Sequence, residues 1–134
     1  MDLTSRLAQA LAAEADVQLA VVFGSAARGT ERPASDLDLG VIGPASPARL
    51  AALSVTLSRA AGRAVDLVEL GGAPPLLRFE VARDGIVMLE RHPHLWADFR
   101  AHAMVDWWEW KPLARRFGEA AAAALRAETA HGPC

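Results

Sequence analysis

Apolar positions recur along the chain with two different periods, and each change of period marks a new element. In "MDLTSRLAQALAAEADV" Leu3, Leu7 and Leu11 return every four residues, the repeat of a helix with one buried face, and Asp2 or Thr4 is placed to cap it. "VQLAVVFG" is unbroken by polar residues after Gln18, as expected of a strand covered on both faces and stopped by Gly24. "GSAARGTERPAS" reads as a loop with one helical turn from Ser25. "DLDLGVIG" then alternates as a second strand, ended by Gly43 and Pro44. Across "SPARLAALSVTLSRAAG" Leu50, Leu53 and Leu57 share a helical face that Gly62 closes. "RAVDLVEL" is a third strand, "PPLLRFEVARDG" a short helix entered through prolines, and "IVMLE" a fourth strand. From Pro93 the pattern is helical, with Pro112 starting or kinking a last segment and "HGPC" expected to fray.

The fold class that follows is α/β: a small mixed sheet of about four strands backed by helices, with a helical C-terminal segment. Residues 1–134 make a single domain with a core at about 1–90 and a helical extension at about 93–128; no repeat or linker interrupts it. Apolar residues are 52% and charged residues 22% of the chain, enough to bury a core and too apolar for a disordered chain. A net charge of −2 gives no general pull toward nucleic acid or an anionic membrane, so neither is expected as a partner. The basic residues are nonetheless almost all arginine, Lys111 being the one lysine, and arginine's planar fork suits phosphate oxygens. Cys134 is the single cysteine, which leaves no internal disulfide and no thiolate zinc site. With no leader-like start and no long apolar run, the expected location is the cytoplasm.

The chemistry concentrates in "VVFGSAARGTERPASDLDLGV", residues 21–41. Side chains two apart on a strand share a face, so Asp36 and Asp38 point together while Leu37 and Leu39 point to the core. Two adjacent carboxylates repel unless a cation intervenes, and magnesium, which takes carboxylate and phosphate oxygens, is the natural one. A pair of such ions about 3.5–4 Å apart can clamp the attacking and leaving oxygens of a displacement at phosphorus. Asp66 is the candidate third acid: if strands 36–42 and 63–70 are neighbours it faces the same cleft, binds the acceptor-side metal and can take the acceptor's proton. Glu69, three residues on, should face away. Gly24 allows close backbone approach to a ligand, Ser25 adds a hydroxyl at the start of a helical turn, and Arg28 lies one turn on, so the three suit a triphosphate.

Gly24-Ser25, ten intervening residues and Asp36-Leu37-Asp38, with the later Asp66, resemble the signature of the polymerase-beta-type nucleotidyltransferase superfamily, and within it the minimal nucleotidyltransferases. The resemblance covers residues 21–41 and Asp66, fits the order of elements through residue 90, and is loose from 91 to 134. It implies a two-metal transfer of a nucleoside monophosphate to a hydroxyl, with two Mg²⁺ ions as cofactors and ATP as substrate. On that carry-over Asp36 and Asp38 bind both metals, Asp66 completes the acceptor-side site, Gly24 and Ser25 hold the triphosphate, and Arg28 assists. Many minimal members are antitoxins that transfer AMP to a tyrosine of a small helical HEPN ribonuclease toxin, so a HEPN toxin from a neighbouring gene is the implied partner. The chain has no tyrosine of its own, so such a modification must occur in trans. Two other readings stand beside this one: a module that masks the toxin by binding alone, and a transferase for a small antibiotic. The second is disfavoured because only about 44 residues follow the last strand.

Other features invite blander readings. Asp36 and Asp38 alone could be a solvated strand edge, and Arg28 a surface arginine. Ser35 is better placed to cap a turn than to react. His92, His94 and His102 match no metal-ligand spacing and read as surface residues. In "MVDWWEW" Met104, Trp107 and Trp108 would share a helical face packed on the sheet, with Trp110 to one side; core packing is preferred there over a docking surface. Leu113, Phe117, Ala121, Ala124 and Leu125 form a stripe that either closes the domain or lies against another chain.

Overall fold

A computed structural model describes residues 2–29 and 36–130. The elements are α1 (Leu3–Ala12), β1 (Leu19–Phe23), α2 (Ser25–Arg28), β2 (Leu37–Ile42), α3 (Pro47–Ala61), β3 (Val65–Glu69), a 3₁₀ turn (Leu70–Gly72), α4 (Pro75–Asp84), β4 (Ile86–Glu90) and α5 (Leu95–Ala130). Ser35 and the "HGPC" tail lie outside the described residues, as does the side chain of Leu125.

The sheet order is β3-β2-β1-β4. β1 is antiparallel to both β2 and β4, and β2 is parallel to β3, so the sheet is mixed. Strands 36–42 and 63–70 are neighbours, the condition on which Asp66 faces the cleft, and α3 supplies the crossover that a parallel pair requires. β1 is central and buried at every position, which explains its unbroken apolar run. Its odd residues, Leu19, Val21 and Phe23, pack under Val81 and Ala82 of α4 and Phe99 and Ala103 of α5. Its even residues, Ala20 and Val22, join Leu7 and Leu11 of α1 and Leu53 and Leu57 of α3. The result is a three-layer sandwich with two apolar cores, one on each face of the sheet.

Local signals set the helix ends. Asp2 accepts a hydrogen bond from Ser5 N–H at 2.8 Å, and Ser46 accepts one from Arg49 N–H at 3.1 Å. Gly62 ends α3 in the left-handed conformation. Arg91, just past β4, donates to the carbonyls of Ala12, Glu14 and Val17 at 3.1, 2.9 and 2.6 Å, tying the end of α1 to the end of the sheet.

Two expectations about the C-terminal segment change. Of the two roles expected for Pro112, starting a new helix is excluded, because α5 runs through it for 36 residues. Pro112 and the Trp108 carbonyl that loses its hydrogen-bond donor both lie on the exposed side, where water can replace the bond. Trp107 packs on α4, stacking against Phe79 with centroids 5.3 Å apart, and Met104 joins the core beside it. Trp108 does not share that face: it is 79% exposed, because one residue turns a helical side chain by about 100° and α4 covers only one side. Trp110 lies aside, 6.4 Å from Phe117, and Leu113, Phe117, Ala121 and Ala124 are exposed, so the stripe does not close the domain. His92, His94 and His102 are exposed. Among the described residues no helix is long and apolar enough to cross a membrane.

Candidate active site

β1 leaves the sheet at Phe23, and β2 enters it at Leu37 beside that point, because Phe23 pairs with Asp38. The turn between them begins at Gly24, with φ +73° and ψ −149°, a conformation that glycine adopts and other residues avoid. A Cβ at this position would stand 2.5 Å from Asp38 Oδ2. Gly24 therefore lets the backbone lie directly against the carboxylate. α2 starts at the next residue, Ser25, and is closed by Gly29 after Arg28, whose N–H donates to the Gly24 carbonyl at 3.1 Å.

The parallel ladder places Asp66 directly opposite Asp38. Leu37, Leu39, Val65 and Leu67 pack with the α1–α3 core, and Val68 with the α4–α5 core, so Asp38 and Asp66 project from the sheet face that carries α4 and α5. Asp38 is half-buried, whereas Asp66 and Asp36, the residue before β2, are exposed. Glu69 faces away, as expected, into a hollow with Pro44, Ser46 and Leu50. Its carboxylate accepts from Gly71 and Gly72 N–H, both at 2.8 Å, and so shapes the 3₁₀ turn.

Electrostatics single out Asp38. Partial burial, then Asp66, then Asp36 push its carboxyl above the usual carboxylate range, while Arg28 pulls the other way. All three acids and Arg28 thus act on one point, and that point is short of positive charge. Oxygen donors of this kind match a hard divalent cation. Among the described residues no three carboxylate, imidazole or thiolate groups are gathered closely enough to hold a metal unaided; carboxylates that share a cleft without a counter-ion repel each other.

Asp84 lies in no motif of the sequence yet stands beside this cleft. It ends α4, accepts from Arg83 Nε at 3.0 Å and Nη2 at 2.8 Å, and lies 4.0 Å from Arg28 Nη1. "RDG" before the fourth strand is the usable signal, since the pairing of β4 with β1 sets Ile86 beside Val22, next to the Gly24 turn.

The family model described as "Polymerase beta, Nucleotidyltransferase" matches residues 5–94. A solved toxin–antitoxin structure with AMP-PNP superposes with a TM-score of 0.79 at 20% identity, over 89% of this chain and 98% of that one. The structure of a tri-AMPylated Shewanella oneidensis HEPN toxin in complex with its MNT antitoxin gives 0.74 at 18% identity, over 90% and 96%. A structure assigned as a minimal nucleotidyltransferase is 36% identical over 64% of this chain and 95% of its own, with a TM-score of 0.55. No curated protein matches the sequence significantly.

Proposed function

Because the chain belongs to the polymerase beta nucleotidyltransferase family, we propose that it is a magnesium-dependent adenylyltransferase acting on a hydroxyl of a HEPN-type toxin and so serving as an antitoxin. The observation that carries this reading is the meeting of Asp38 with Asp66 in register, with Gly24 against the Asp38 carboxylate and Arg28 acting on it. The same fold in a toxin–antitoxin structure with AMP-PNP, and in one whose toxin is tri-AMPylated, supports ATP as donor and a protein as acceptor.

Asp36, Asp38 and Asp66 would hold the metal ions, whose chemistry is to neutralise the carboxylates and polarise the reacting oxygens. Gly24 and Ser25 receive the triphosphate along the backbone, and Arg28 offers its guanidinium to the phosphate oxygens. The acceptor hydroxyl oxygen bonds to the α-phosphorus as the bond from that phosphorus to the bridging oxygen breaks. Pyrophosphate leaves with the bonding electrons, and the hydroxyl proton passes to the Asp66 carboxylate. The acceptor tyrosine would be the partner's, since this chain has none.

Val105, Trp108, Leu113 and Phe117, all exposed on α5, favour a second reading in which contact alone neutralises the toxin. One experiment separates the two. The protein, α-labelled ATP and Mg²⁺ are incubated with and without the product of the adjacent gene. Label on the partner, lost with Asp36→Asn/Asp38→Asn, is the expected result. A tightly bound but unlabelled partner, with any of the four nucleotides, would refute the transferase and leave the mask.

A further inference from the structure

Arg28 ends a helix of four residues, and its side chain is 50% exposed. Such a side chain samples many rotamers, and a guanidinium that must meet phosphate oxygens gains from being held in place beforehand. Asp84 is built to hold it. The Asp84 side chain is 19% exposed, and both its oxygens are engaged by Arg83. The Arg83 guanidinium lies 5.6 Å over the Phe79 ring, which in turn stacks on Trp107. One residue on, Gly85 donates to the Val81 carbonyl at 2.8 Å, and a Cβ there would stand 2.5 Å from Val21 Cγ1, so the end of α4 is pinned against β1.

Arg28 Nη1 reaches the same oxygen, Oδ2, that Arg83 Nη2 already occupies, at 4.0 Å against 2.8 Å. Asp84 is thus a fixed anchor beside one edge of the Arg28 guanidinium. We infer that Asp84 is a positioning residue: it holds the Nη1 edge of the Arg28 guanidinium at the mouth of the carboxylate cleft, so that the remaining guanidinium N–H groups meet phosphate oxygens already oriented. The inference rests on the reading that Arg28 meets the triphosphate.

The test measures mant-ATP affinity on the protein alone, and KM for ATP and kcat in partner labelling, for Asp84→Asn, Asp84→Glu, Arg28→Ala and Arg28→Ala/Asp84→Asn. Circular dichroism melts accompany each. Loss of one exposed charge contact predicts a Kd and KM raised about threefold to fivefold in Asp84→Asn, with kcat unchanged and partial recovery in Asp84→Glu. Arg28→Ala should weaken binding by about tenfold, and Asp84→Asn should add nothing in that background. An Asp84→Asn effect that persists in the Arg28→Ala background, or falls on kcat with KM unchanged, would overturn the inference and leave nucleotide transfer standing. Wild-type protein that binds no mant-ATP would overturn both.

Discussion

Replacing Gly24 with alanine tests whether the site is built as described, because two separable penalties fall on one methyl group. The first is conformational: φ +73° with ψ −149° is closed to residues with a Cβ, at a cost of about 1–3 kcal/mol. The second is a collision, since the new Cβ would stand 2.5 Å from Asp38 Oδ2 where ordinary contact begins at 3.4 Å. The carboxylate must retreat by about 0.9 Å, and a misplacement near 1 Å costs catalysis about a hundredfold. Gly24→Ala should therefore melt about 4–12 °C lower from the conformational penalty alone, at roughly 4 °C per kcal/mol for a domain of this size, with the collision adding to that, and should lose about two orders of magnitude in AMP transfer. The assays are thermal unfolding by circular dichroism and labelled transfer under matched Mg²⁺ and ATP. In an Asp38→Ala background only the conformational penalty should remain, so the alanine should cost less stability there. A Gly24→Ala protein with wild-type melting and transfer would refute the close approach of backbone and carboxylate.

Asp38→Asn should raise the melting temperature at pH 7 in EDTA. The folded carboxyl titrates above its unfolded value near 3.8, so its contribution is present below that pH and lost as pH rises through the folded value. The gain should vanish below about pH 4, and Mg²⁺ should stabilise the wild type more than the variant; a variant that melts lower at pH 7 contradicts this. Arg91→Ala removes a cation from four carbonyls, those of Leu11, Ala12, Glu14 and Val17, and should cost about 1–2 kcal/mol in urea unfolding, whereas an unchanged midpoint would mean that α1 is held without it. Trp108→Ala should change stability by less than about 0.5 kcal/mol, and Trp107→Ala should cost about 1–3 kcal/mol; equal effects would contradict the packing of α5.

Each of the four strands announces itself in the chain, because a short apolar run between turn residues has few other uses. The adjacency of β2 and β3 was legible only as a condition, since one helix between two apolar runs suits a parallel crossover without requiring one. The placing of β4 against β1 was not, for nothing local says which edge a returning strand takes. Asp84 is hidden for that reason: it meets Arg28 across fifty-six residues of chain, through a pairing that only the assembled sheet reveals. Trp108 marks another boundary. Periodicity gives a helix its faces, but what covers them depends on the length of the neighbour. α4 spans about 15 Å, whereas α5 spans about 54 Å and outruns its cover.

The register of β3 against β2 carries a consequence for how the site comes into being. Val65 and Leu67 belong to the α1–α3 core, and Asp66 between them takes the opposite face. Slipping β3 by one residue would turn Asp66 into that core and lift both apolar side chains out of it. The mistake would thus be penalised at three adjacent positions, two of them remote from any chemistry. A chain that has folded at all has therefore already aligned Asp66 with Asp38. Proofreading of this pair is done by the hydrophobic core, before a nucleotide or a partner arrives.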